Sequence, residues 1–162
     1  MDKYVYENVK MYCRYYLKDA VAIYEKSSRS QDILDILIEL KDGTLLSYCD
    51  VTKETRIIPD IDSMTEKEFE SIFKREFEIR LHNVMYSRAI NQRRLSEKTR
   101  ISPVMISSYV TGKTMPTLYN IHKIARALHC EIDDLIFDLT KYERKEISEY
   151  PDLLHHIQKG GL

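Results

Sequence analysis

The sequence predicts a mainly α-helical chain with a small antiparallel β hairpin or meander near its start, and three observations carry that fold class. An apolar stripe at spacings of three and four runs from about residue 63 to 89 without Gly or Pro. Two short helical patterns follow between residues 91 and 112, separated by a tight turn. Asp42-Gly43 stands between two apolar runs, a strong hairpin signal because both central turn positions need positive φ. At 162 residues the chain suits one large domain or two small ones.

In order, residues 2–27 read as a helix, because Val5, Val9, Tyr12, Tyr16, Ala20 and Ile23 recur at helical spacing. Tyr4, Tyr6, Tyr15 and Tyr24 widen its apolar face, a pattern that suits core packing first and an interface second. SSRS at 27–30 is a polar break. The Ile- and Leu-rich run at 33–40, the Asp42-Gly43 turn and LLSYCDV at 45–51 then predict two strands. A turn at 52–55 leads to a third short strand at 56–58, before Pro59. Residues 1–62 are therefore expected to be an α+β unit, one helix on a two- or three-stranded sheet. A unit that small is marginal alone, which favours a second copy or a protein partner.

Residues 63–138 form the second expected unit. Ser63 and Glu66 have the spacing of a capping box. Phe69, Phe73, Phe77, Leu81, Val84 and Met85 continue one apolar face into a rod of some 25 residues. The tail, 139–162, is charged and ends in Gly-Gly, with Leu153, Leu154 and Ile157 offering a short amphipathic helix.

The stretch from 90 to 117 is the most specific. Asn91 is placed to cap one helix, with Leu95 and Thr99 on a common face. Ser102 is placed to cap the next, with Pro103 at the first helical position, where its missing N–H costs nothing. Val104, Met105, Ile106, Tyr109 and Val110 fill that helix, and Thr111-Gly112 ends it. Only Arg100 and Ile101 separate the first helix from the Ser102 cap, so the two helices must cross steeply. Tyr109 is readable either as core or as part of the exposed face.

On these residues, the segment from about 77 to 136 resembles the Cro and lambda-repressor type (Xre-like) helix-turn-helix domain. The family pattern L-T-Q-x-x-L-A-x-x-x-G-I-S-x-x-x-I-S-x-x-x-x-G-x-x-x-P is met by Ile90, Asn91, Gln92, Leu95, Ser96, Ile101, Ser102, Ile106, Ser107, Gly112 and Pro116. Leu118, Ile121, Ile124, Ala125 and Leu128 resemble the apolar stripe of the family's fourth helix, and a short fifth helix would begin near Asp133-Asp134. The resemblance implies a five-helix lambda-repressor-like DNA-binding domain following the N-terminal α+β unit. Two positions depart from it: Arg100 stands where the turn Gly is usual, and Pro103-Val104 where many members carry polar base-reading side chains.

Charge agrees with that implication. Residues 1–73 hold 10 Lys+Arg against 15 Asp+Glu, residues 74–130 hold 11 against 3, and residues 131–162 hold 4 against 8. A net charge of −1 thus hides a balance of +8 on the segment with the motif, where a polyanion would dock. Hydrophobic content of 43% with 31% charged residues is that of a soluble globular protein. No apolar run approaches the ~20 residues of a membrane span, and the N-terminus lacks the pattern of a secretory signal. Three scattered cysteines argue against a disulfide framework or zinc site and fit a cytoplasmic protein. No H-E-x-x-H, G-x-S-x-G or glycine-rich phosphate loop is present, so neither an enzyme nor a metal or other cofactor is expected.

If the second helix of the motif enters the major groove, Pro103, Val104, Met105, Ser107, Ser108 and Thr111 are the candidate base-reading residues. Val104 or Met105 can touch a thymine methyl, and a serine hydroxyl can bond to either base type. Gln92, Arg93, Arg94, Lys113 and Thr114 are the candidate phosphate contacts. The expected function is a sequence-specific DNA-binding transcriptional regulator, a dimeric repressor of phage or mobile-element type acting on double-stranded DNA. Two alternatives share the DNA-binding half. One is a counter-defence (anti-CRISPR-like) inhibitor whose N-terminal unit grips a nuclease; the other is an antitoxin.

Overall fold

The computed structural model describes residues 3–26, 35–49 and 54–159. They fall into two units. One combines the described residues up to Thr65 with those from Thr140 onward; the other runs from Glu66 to Leu139. The polar break at 27–30, part of the turn after β3 and the terminal Gly-Gly lie outside the described residues.

The first unit opens with α1 (Lys3–Tyr12) and a single further turn, α2 (Arg14–Leu17). Its sheet holds β1 (Ala20–Lys26), β2 (Asp35–Leu40), β3 (Leu45–Cys49), β4 (Glu54–Ile58) and β5 (Tyr142–Glu146), all antiparallel in the order β4-β3-β2-β1-β5. The expected helix over 2–27 is therefore wrong beyond Leu17. Ala20 to Ile23 fit a helical stripe by spacing, but their backbone groups are satisfied by two neighbouring strands, Ile23 lying opposite Ile38 on one side and Lys145 on the other. The buried helical stripe is Val9, Cys13 and Leu17, while Tyr12 and Tyr15 are exposed.

Strand alternation builds the core of this unit. Ile36, Ile38 and Leu40 on β2 and Leu46 and Tyr48 on β3 point to one side, with Ile36 opposite Tyr48 and Ile38 opposite Leu46. Val9, Cys13, Leu17 and Leu153 of the flanking helices close over them. The hairpin between β2 and β3 forms where expected but by another turn. Within this loop only Gly43 has positive φ (84°), and the Leu40 amide donates to the Thr44 carbonyl at 2.8 Å. The loop is a type I turn followed by a left-handed glycine, and the Asp42 carboxylate accepts the Thr44 N–H at 3.0 Å.

The described part of the charged tail from Thr140 onward groups with this unit. Tyr142–Glu146 pairs along β1 as an edge strand, and α7 (Pro151–Gln158) buries Leu153. Arg144 donates to Glu39 at 2.8 Å and also pairs with Glu146, and the Tyr150 hydroxyl donates to Glu25 at 3.0 Å. An edge strand carrying Glu, Arg, Lys and Glu resists pairing with other chains, which explains why it does not read as a strand.

The second unit begins with α3 (Glu66–Ser87), 22 residues long. Ser63 does not cap it. That residue ends a 3-10 turn (Ile61–Ser63), and its hydroxyl donates to Asp60 at 2.8 Å. Phe77, Leu81, Val84 and Met85 are buried, and the Glu76–Arg80 pair is buried one turn apart, with Arg80 over the Phe137 ring. Then follow α4 (Gln92–Thr99), α5 (Pro103–Val110) and α6 (Leu118–Ala127). The expected fifth helix is only a 3-10 turn, Ile132–Asp134, in which Asp134 accepts the Glu131 N–H at 2.9 Å. Arg88 ties the end of α3 to the end of α6 by donating to the carbonyls of Leu128 and His129 at 2.8 and 3.2 Å. No helix among the described residues is long and apolar enough to cross a membrane.

Candidate nucleic-acid interface

Local hydrogen bonds set the helix pair. The Asn91 side chain accepts the Arg94 N–H at 2.9 Å, and the Ser102 hydroxyl accepts the Met105 N–H at 3.2 Å, so both helices start where their caps stand. Arg100 takes the left-handed conformation (φ 59°) at the end of α4, and its N–H donates to the Ser96 carbonyl at 2.8 Å. A side chain thus occupies the turn that glycine makes more cheaply. Inside it, the Ser96 hydroxyl donates to the Ile101 carbonyl at 2.6 Å, and the Ile101 N–H donates to Thr99 Oγ1 at 3.2 Å.

Ile106, Tyr109 and Val110 are buried; Tyr109 is core, its hydroxyl accepting from the Asn120 amide at 2.9 Å. At about 100° per residue, these three side chains occupy one sector of α5. The opposite arc centres on Val104, Ser107, Ser108 and Thr111, with Pro103 and Met105 at its margins. Val104 is 78% exposed and Met105 40% exposed. The hydroxyls on this arc differ in freedom. Thr111 Oγ1 donates to the Ser107 carbonyl at 2.7 Å, and Ser108 and Thr114 share a 2.7 Å bond. Ser107 Oγ has no such bond among the described residues, which leaves its donor and acceptors for a ligand.

One hydrogen bond from α3 holds the far end of α5 and one α3 side chain lies close against it, and sequence reading missed both. His82 Nε2 donates to the Val110 carbonyl at 2.9 Å. Gly112 (φ 72°) packs its Cα against the Glu78 carboxylate, where a Cβ would collide. Each partner lies some thirty residues away in sequence, so no local pattern signals it. Gln92, Arg93, Arg94, Lys113 and Thr114 are all exposed. Arg93 pairs with Glu97 at 3.2 Å, and with both side chains well exposed this pair exchanges readily for another anion.

A family model described as Helix-turn-helix matches residues 87–135, the stretch from the end of α3 through the 3-10 turn. These residues are a helix-turn-helix domain of the Cro and lambda-repressor type. Solved structures similar to this chain include two that follow. The restriction-modification controller protein C.AhdI from Aeromonas hydrophila is 24% identical, with 41% of this chain and 97% of that chain covered and a TM-score of 0.37. The clp gene regulator ClgR from C. glutamicum is 19% identical, with 38% and 80% covered and a TM-score of 0.36. No curated protein matches. The family match supports a DNA-binding regulator.

Within the helix-turn-helix domain one expected core residue is misplaced. Leu118 is 66% exposed at the start of α6, beside Tyr119 at 70%; the stripe that packs inward is Ile121, Ile124, Ala125 and Leu128. Thr117 caps the helix by accepting the Asn120 N–H, which sets the phase that turns Leu118 outward.

Proposed function

We propose that this protein is a sequence-specific DNA-binding transcriptional regulator, a dimeric repressor of phage or mobile-element type. The exposed arc of α5 carries the reading: Val104, Ser107, Ser108 and Thr111 project from a helix anchored at both ends, on a helix-turn-helix domain. Inserted in a major groove, that arc offers methyl and hydroxyl contacts to base edges. Arg94 and Lys113, with Arg93 once released from Glu97, meet the phosphates, and the Gln92 N–H and amide add neutral donors.

One such module reads only a few base pairs, so the bound form is a dimer on a palindrome with half-sites ~34–36 Å apart or a multiple of it. Met11, Tyr12 and Tyr15, exposed on α1 and the turn after it, offer the first unit an apolar surface for self-association. Selection of bound DNA from a random pool, paired with sedimentation of the full chain, tests the reading. A palindromic consensus and a dimer that Tyr15→Glu dissociates are expected. A monomer protecting one asymmetric half-site would overturn it.

A further inference from the structure

A groove of about 750 Å³ lies on the helix-turn-helix domain between the C-terminal end of α4 and the outer face of α6. Lys98, Arg100, Lys123 and Arg126 line it, with the His122 imidazole and the Tyr119 ring; among the described residues no acidic side chain does. Among the described residues, none of the four cations has an ion-pair partner. Lys123 Nζ instead sits 5.2 Å from the centre of the Tyr119 ring, which is 70% exposed. Four cations without an ion-pair partner line one concavity, where an anion would meet positive charge on several sides. The groove is open on one side, and its volume falls within the range of small-molecule sites. The groove lies about 9 Å along α4 from Gln92, beyond the residues assigned to phosphates of the duplex.

We propose that this groove binds a small anionic ligand of the nucleoside polyphosphate class. The cations take the phosphates, and the open part of the Tyr119 ring takes the base by stacking, an interaction every base can make. Arg100 is both a lining residue and the left-handed residue of the α4–α5 turn, so a ligand held there bears on the angle at which α5 is presented. Binding does not depend on the DNA reading above and is measured without DNA.

Titration calorimetry of the full chain uses three probes: ATP, inorganic tripolyphosphate and adenosine. Saturable one-to-one binding of ATP is expected, with tripolyphosphate weaker and adenosine weakest. Lys98→Ala and Arg126→Ala should weaken both ATP and tripolyphosphate at least fivefold. Tyr119→Ala should weaken ATP about fivefold and leave tripolyphosphate unchanged, a split that mere misfolding would not give. Arg94→Ala and Lys113→Ala should leave ATP binding unchanged. Failure of ATP to bind saturably at millimolar concentration would overturn the proposal, as would ATP affinity indifferent to Arg126→Glu. It is also overturned if Lys98→Ala and Arg126→Ala alter only the salt dependence of DNA binding, which would make the groove a contact for the duplex backbone.

Discussion

The Ser96 hydroxyl donates a 2.6 Å hydrogen bond to the Ile101 carbonyl, closing the turn between α4 and α5 from the inside. Both residues are buried, so the carbonyl has no water to fall back on. Ser96→Ala leaves it unpaired and should cost about 1–3 kcal/mol, the range for a stranded buried acceptor. Urea unfolding should show a lower midpoint at unchanged slope. An unmoved midpoint would mean the turn holds without this bond.

Gly112 ends α5 under two constraints, a φ of 72° and the Glu78 carboxylate lying against its Cα. Gly112→Ala should destabilise the protein by about 1–2 kcal/mol from backbone conformation, while the Glu78 carboxylate, at the end of a flexible side chain, turns aside at little added cost. Glu78→Ala in the same chain should therefore recover little of the loss. Full recovery in this double-mutant cycle would show that the backbone carries no strain there.

Arg94→Ala and Lys113→Ala should weaken binding to every DNA sequence alike and flatten its salt dependence by about one unit each. Arg93→Ala should do less, because Glu97 already shares its charge. Glu97→Gln frees that guanidinium and removes a carboxylate, so it should tighten binding. Any of these changes that alters the preferred base instead would remove that residue from the phosphate contacts.

Ser107 is the reading-face serine whose hydroxyl is not committed within the described residues, and Val104 is 78% exposed beside it. Ser107→Ala should cost about 1 kcal/mol at one base position, the low end for a direct contact. Val104→Gln, which adds an amide on the same arc, should shift the consensus in a side-by-side selection with wild type. Identical consensus sequences would mean that α5 presents a different face to the groove.

Burial pushes the Cys13 thiol up to about 12. A folded-state value above the unfolded one of about 8.5 means the neutral thiol contributes its full stability below the unfolded pKa. That contribution declines as pH rises from there towards the folded value. Wild type should therefore lose more stability than Cys13→Ala between pH 9 and pH 11, read from urea midpoints at each pH. Parallel losses would show that the thiol ionises as easily folded as unfolded.

Much of the helix-turn-helix was legible in the sequence because its determinants are local. Asn91 and Ser102 each cap a helix through an N–H three residues on, and Gly112 marks the stop one residue past the Thr111 cap. The exposed arc of α5 follows from the same periodicity. It placed Val104, Ser107 and Ser108 together, and left Tyr109 open until its bond to Asn120 set it in the core. Phase failed for Leu118, whose outward direction depends on the Thr117 cap.

By itself, then, the sequence determined the two caps, the turn at Arg100, the hairpin at Gly43 and the concentration of positive charge on the middle segment. Each rests on residues within a few positions of one another, where backbone preference and short hydrogen bonds decide the outcome. Only the tertiary structure decided that Ala20–Lys26 is a strand, that the charged Tyr142–Glu146 completes its sheet, and that the first unit takes in this late strand as well. It also decided that His82 holds α5 from behind, that Glu78 lies close to Gly112 and that Lys98, Arg100 and Arg126 share one groove. A strand's hydrogen bonds go to another segment, here more than a hundred residues away for β5, and its spacing alone cannot tell that ladder from a helix's own.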